Sequence, residues 1–253
     1  MFKRILITVI NISLVLAFII ALVKQEQRNE PVIGTIETFD VTSEPYYADP
    51  TGKRDSTVAI QNAIDDASAA SGGRVKIPEG WYKITKTINL RSYVTIEGDG
   101  EDTVIKAYFK KAGEPIISNN IDDKLYHVVI KNLKIDRSDK NTEHGILLAN
   151  VSGLTADGIT VYSSSDRPGG AIGISAFDKY ANYPSKTITV KNSRFYYTGN
   201  YGIQYGNVTN GKVEDNKFYN GYREVIGVEP YGENGVAENI TITDNFISNK
   251  NVT

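Results

Sequence analysis

Residues 189–195 read TVKNSRF, and four other segments align with them: VIKNLKI (129–135), TADGITV (155–161), KVEDNKF (212–218) and TITDNFI (241–247). At the same place each carries a residue that tolerates a left-handed backbone: Asn132, Gly158, Asn192, Asp215 and Asp244. Successive members lie 26, 34, 23 and 29 residues apart. A one-residue corner between two strands demands a positive φ, which Asn, Asp and Gly accept and other side chains resist. A period that varies in length yet returns to one strand, bend, strand unit describes a coil whose turns carry loops of different size. Parallel ladders would stack such turns about 4.8 Å apart.

Between these units runs a second strand set: GILLA (145–149), AIGIS (171–175), GIQYG (202–206) and VIGVE (225–229). Side chains alternate faces along a strand, so Ile146, Ile172, Ile203 and Ile226 are expected to stack inside the coil. An antiparallel sandwich also uses many short strands. It does not predict one bend residue recurring in step with a stacked isoleucine. The expected class is all-β, a solenoid of single-stranded turns.

Upstream, DSTVAIQNAIDDASAASGG (55–73) has helical spacing, with Ile60, Ala63, Ile64 and Ala67 on one face, Asp55 or Ser56 to cap it and Gly72 to end it. Further upstream, MFKR precedes ILITVINISLVLAFIIALV (5–23), a run of 19 residues without a charge, long enough to cross a bilayer as a helix. Ile19 and Ala21 make a poor small-x-small cleavage site, which favours an uncleaved anchor over a signal peptide. Lys3 and Arg4 before the run keep the N-terminus cytoplasmic and place the chain beyond residue 30 outside. The expected organisation is an anchor at 1–24, a linker at 25–37 and a β-helix domain at 38–253.

The formal net charge is -2 and no basic stripe invites nucleic acid. There is no cysteine and only two histidines, His127 and His144, which leaves thiolate and all-histidine metal sites without ligands.

YADPTGKRDSTVAIQNAIDDA (47–67), GGRVKIPEGWYKI (72–84) and SYVTIEGDG (92–100) resemble the N-terminal cap and first coils of the pectate-lyase-like right-handed parallel β-helix family. The likeness is to the group with rhamnogalacturonase-like and epimerase-like domains and phage tailspikes, and it runs from about residue 38 onward. It implies a right-handed coil of about six turns whose open N-terminal end is covered by Asp49–Gly52 and the helix after them. It implies polysaccharide work by hydrolysis, β-elimination or epimerisation, or glycan binding alone, without choosing among them.

The outward positions of the second strand set are Leu147, Ala149, Gly173, Ser175, Gln204, Gly206, Gly227 and Glu229, mostly small residues that form a shallow trough. Asp136, His144, Asp166, Arg167, Arg223 and Glu224 come from loops on one wall, Asp178 comes from the other, and Gln204 and Glu229 rise from the floor. Tyr197, Tyr201 and Tyr222 lie near enough to stack on sugar rings. Tyr205 aligns with the inward residues and is expected in the core.

Three chemistries remain open. Hydrolysis needs two carboxyls across the scissile bond, for which Glu229 with Asp166 or Glu224 is the candidate pair. A uronide lyase needs a base and a cationic clamp, for which Arg223 or Arg167 stands ready, often with Ca²⁺ on several oxygens. In the third case the trough only holds glycan, with Gln204, Asp136, His144 and Tyr201 as contacts. The polygalacturonase motifs of the family are not matched: NTEHG (141–145) has Glu143 where the family has Asp and lacks the glycine before His144. The epimerase signature Tyr-Gly-Phe-Asp-Pro-His is missing too, GVEPYG sharing an acid before Pro230. At the C-terminus, TITDNFISNKNVT (241–253) leaves Ile242 and Phe246 uncovered, so a subunit contact at that end or a chain shorter than its relatives is expected.

Overall fold

The computed structural model describes residues 36–120, 123–138, 142, 144–163, 170–174 (backbone), 184–199, 201–230 and 235–249. The chain divides into two units, 1–35 and Ile36–Thr253. The expected anchor at 1–24 lies outside the described residues, among which no helix is long and apolar enough to cross a membrane.

The second unit is a parallel β-helix. Its strands form three sheets with every ladder parallel, one strand per turn except in the last turn of the first sheet, which has two short strands. The first sheet runs from Thr38–Asp40 through Leu125–Lys131, Val151–Asp157 and Ser185–Lys191 to Val208–Glu214 and the short strands beyond it. The second runs from Thr51–Asp55 and Gly80–Ile84 through Lys134–Asp136, Thr160–Tyr162 and Arg194–Tyr196 to Phe246–Ser248. The third begins at Ile88–Asn89 and ends at Ile203–Tyr205 and Ile226–Val228. The second sheet has eight strands, so the coil has more turns than the roughly six expected.

The corners between first and second sheet fall where the sequence places them. Asn132, Gly158, Asn192, Asp215 and Asp244 have φ of 54°, 62°, 51°, 55° and 55°. A second left-handed column is unmarked in the sequence: His127, Gly153, Thr187, Asn210 and Asn239 all have positive φ, one inside each successive first-sheet strand or at its end. Its composition is mixed, and a threonine with φ of 56° resists that region, so no local signal marks it. At His127 and Thr187 neighbouring turns impose the bend on the strand.

Along the third sheet the backbones of Ile117, Ile146, Ile172, Ile203 and Ile226 are held in register by successive ladders. Ile117, Ile146 and Ile203 are buried, each such side chain contributing roughly 1.5–3 kcal/mol. Tyr205 is fully buried, as expected, and its hydroxyl donates to the carbonyl of Lys212 at 2.8 Å. Polar ladders join the apolar columns: Asn245 Oδ1 accepts from the N–H of Asn216, whose own Oδ1 accepts from the N–H of Ser193.

The helix α1, Thr57–Ala69, covers the N-terminal end, with Ile60, Ala63, Ile64 and Ala67 fully buried. Ser56 holds the N-cap position, but its hydroxyl instead accepts the Asp49 N–H. Asp55 supplies the cap, accepting the Thr57 N–H at 2.9 Å. In the last turn Ile242, Phe246 and Ile247 are exposed.

Candidate functional site

Glu229 directly follows Ile226–Val228 on the outer face of the third sheet. Its N–H donates to the Tyr205 carbonyl at 2.9 Å, which continues the ladder and fixes the direction of its side chain. Tyr201 Oη donates to Glu229 Oε1 at 2.6 Å, and Gln204 Nε2 donates to Oε2 at 3.3 Å. Both carboxylate oxygens are therefore engaged from the preceding turn, while Glu229 stays half-buried. Gly227 makes this possible. The Tyr201 ring lies against it so closely that a Cβ there would stand 2.5 Å from Tyr201 Cε1.

Gly227 is in register with Gln204, and the same outward column continues through Gly173, Leu147, Ser118 and Asn89. At its N-terminal end the column opens into a groove of about 920 Å³ walled by Thr85–Thr87 and by Phe109–Lys111, Glu114 and Pro115. Lys86, Lys110 and Lys111 line it, with Glu114 3.6 Å from Lys111 Nζ. Lys86 and Lys110 are exposed and enter no ion pair among the described residues. Sequence reasoning missed this groove, because its lysines come from two loops that only coil stacking brings onto one face.

The remaining expected site residues divide. Arg223 and Glu224 are exposed, with no hydrogen bond or ion pair among the described residues to tie them to Glu229. Asp166, Arg167, Asp178 and Ser175 lie outside the described residues. His144 opens the strand His144–Leu148 on the third sheet. It stands five positions along the strand and three turns away from the level of Glu229, roughly 16 Å in one direction and 14 Å in the other. Asp136 does not line the trough. It ends a second-sheet strand, where Lys106 Nζ lies 3.2 Å from Oδ2 and the Ser138 N–H donates to Oδ1. The register that pairs Asp136 with Lys106 decides its direction. Tyr197 directly follows the second-sheet strand Arg194–Tyr196, edge-on to Tyr162 at 5.8 Å. Among the described residues no three His, Cys, Asp or Glu side chains gather into a group that could hold a metal ion.

Parallel ladders, a helical cap and a polar site on one outer face define a parallel β-helix of the pectate-lyase-like kind. The chain belongs to the family described as rhamnogalacturonase A/epimerase, pectate lyase-like, whose model matches residues 41–251. Alginate lyase 7 of Azotobacter vinelandii is 36% identical over 102 residues, which are 36% of this chain and 12% of that protein. Among solved structures, the A-module of the A. vinelandii mannuronan C-5 epimerase AlgE6 superposes with a TM-score of 0.66 at 22% identity, covering 83% of this chain and 57% of that one. A family 28 exopolygalacturonase of Yersinia enterocolitica superposes with a TM-score of 0.64 at 16% identity, covering 84% of this chain and 49% of that one. The chain thus spans a small part of the curated relative and about half of these two structures, whose likeness bears on the fold alone.

Proposed function

We propose that this domain acts on an acidic polysaccharide laid along the outer face of the third sheet, with Tyr201 and Glu229 as its proton-transferring pair. The observation that carries the reading is the 2.6 Å hydrogen bond from Tyr201 Oη to Glu229 Oε1 on the outer face of the third sheet. Tyrosine and glutamate are both competent general acids or bases, and a pair already sharing a proton can accept one at one oxygen and release one at the other. The three groove lysines favour an anionic polymer by attraction to its carboxylates. The name of the curated relative, an alginate lyase, points to the same substrate class.

On this reading the proton removed is the one on the carbon beside a uronate carboxylate. In elimination that C–H bond and the bond to the leaving glycosidic oxygen break, a C=C bond forms, and the oxygen leaves protonated. In epimerisation the carbon regains a proton on its other face. Gln204 holds Glu229 Oε2, leaving Oε1 and the Tyr201 hydroxyl as the pair that exchanges the proton. Surface attachment through residues 1–24 and self-association at the last turn belong to the same proposal; membrane fractionation and sedimentation of the full chain check them.

The test is to incubate the purified protein with uronic and neutral polysaccharides, with and without Ca²⁺. Absorbance of unsaturated uronides, new reducing ends and deuterium uptake from heavy water are followed together. Unsaturated product or deuterium uptake on uronic polymers alone is expected. Reducing ends without unsaturation would indicate hydrolysis and overturn the proton-transfer chemistry, and silence throughout would leave a glycan-binding domain.

A further inference from the structure

The outer face of the second sheet is built differently from the other two. Register places Lys83, Lys106, Asp136, Tyr162, Tyr196 and Tyr219 in one outward row, one residue per turn. Beside it runs a row that includes Trp81, Lys134, Arg194 and Lys217. The inward residues between them, Tyr82, Ile105, Ile135, Val161, Phe195 and Phe218, are buried, so pleat parity turns both rows outward, although Val104, Asp136 and Thr160 within those rows are covered by their neighbours.

On the first sheet four basic groups are matched by carboxylates, Arg74 and Lys131 on Glu97, Lys76 on Asp99 and Lys191 on Asp157, while the exposed Lys186 and Lys212 enter no ion pair among the described residues. On the second, Lys83, Lys106 and Lys134 lie over aromatic rings, and of these Lys106 also pairs with a carboxylate. Every cation–π contact among the described residues is here: Lys83 over Tyr108 at 5.2 Å, Lys106 over Trp81 at 5.2 Å and over Tyr108 at 6.0 Å, and Lys134 over Tyr162 at 5.1 Å. A ring packs the lysine stem and steadies the ammonium without neutralising it.

Three carboxylates offset the five basic groups of these rows. Asp136 pairs with Lys106, Glu101 reaches over to Arg194 at 3.2 Å, and Asp55 stands in register with Lys83. Lys134 and Lys217 have no acidic partner among the described residues. On a chain of net charge -2 this face is basic. Trp81 and Tyr108 are 51% and 43% exposed beside the lysines and offer apolar surface next to the charge.

We propose that this face is a second binding surface for an acidic polysaccharide, separate from the Glu229 trough, with the polymer running along the coil axis. The proposal rests on the substrate class proposed above. One basic or hydroxyl group per turn answers a polymer whose carboxylates repeat regularly, and the exposed rings answer the apolar faces of its sugars. Such a surface keeps a long polymer attached while the trough works on one stretch of it.

The test is affinity electrophoresis of the full chain in native gels containing polygalacturonate, mannuronan, dextran or DNA, at two salt concentrations. The parent protein is expected to be retarded by the acidic polysaccharides and not by dextran, and retarded less at the higher salt. Lys83→Gln/Lys134→Gln/Lys217→Gln should weaken retardation about tenfold and flatten its salt dependence. Turnover on short acidic oligosaccharides should stay at the parent level, and Glu229→Gln should be retarded like the parent. Parent-like retardation of the triple variant would overturn the proposal. So would its loss in Lys86→Gln/Lys110→Gln alone, which would assign polymer binding to the trough, or stronger retardation by DNA than by either polyuronate. Retardation that persists in a protein inactive on every polymer would sink the catalytic reading and leave this one standing.

Discussion

Tyr201 and Glu229 are 28 residues apart in sequence, and the phenol of the first donates a 2.6 Å hydrogen bond to the carboxylate of the second. One turn of the coil separates them, so this pair exists only when the last two third-sheet strands are in register. Glu229→Gln retains the shape and much of the hydrogen bonding while removing the charge. It should lower turnover on the responsive uronic polymer at least about a hundredfold. Its urea midpoint should stay near the parent's, because the residue is outside the core. Near-parent turnover would make Glu229 a surface charge held by its neighbours.

Gly227 offers an independent check. A Cβ there would stand 2.5 and 2.6 Å from two atoms of the Tyr201 ring, so Gly227→Ala must displace the ring. Turnover should fall although neither proton-transferring group is altered, and Tyr201→Phe should show the same loss. Initial rates with the two variants side by side, alongside their circular dichroism, measure it.

The corner columns predict stability. Asn192 has φ of 51° and its side-chain amide donates to Asp157 Oδ1 at 2.8 Å. Asn192→Val forces a branched side chain into the left-handed region and should cost about 1–2 kcal/mol. Asn192→Gly keeps the conformation and should cost less. Urea denaturation of the three proteins ranks them, and a valine variant as stable as the glycine one would contradict the role given to the corner.

Acid should loosen the N-terminal cap. Hydrogen bonds from the Thr51 hydroxyl and N–H and from the Arg54 N–H lower Asp49 from 3.8 to about 2. For Asp55, burial pushes the carboxyl up, but hydrogen bonds from Thr57 and Thr85 outweigh it and hold the group below its ordinary value. A carboxyl with a depressed folded-state pKa contributes stability in full above its unfolded value. That contribution is lost as pH falls through the folded one. The urea midpoint should therefore drop between about pH 4 and pH 2, and Asp49→Asn should flatten that limb. An unchanged acid limb in the variant would remove Asp49 from the account.

The sequence by itself determined the coil. Asn132, Gly158, Asn192, Asp215 and Asp244 mark its corners because a left-handed backbone restricts which residues can stand there. The stacked isoleucines and the apolar face of α1 were legible because burial imposes a period of two on a strand and 3.6 on a helix. The outward direction of Glu229 followed from the same alternation.

What only the tertiary structure decided is which outward residues meet. The stacking of turns put Tyr201 and Gln204 on Glu229, turned Asp136 toward Lys106 on another sheet, left Arg223 and Glu224 in solvent, and gathered Lys86, Lys110 and Lys111 into a groove. The first-sheet bends at His127 and Thr187 belong here too, since neighbouring turns impose them against local preference. Local rules specify a residue's backbone state and its face. Loops of unequal length between corners decide its neighbours one turn away, and no local pattern encodes that.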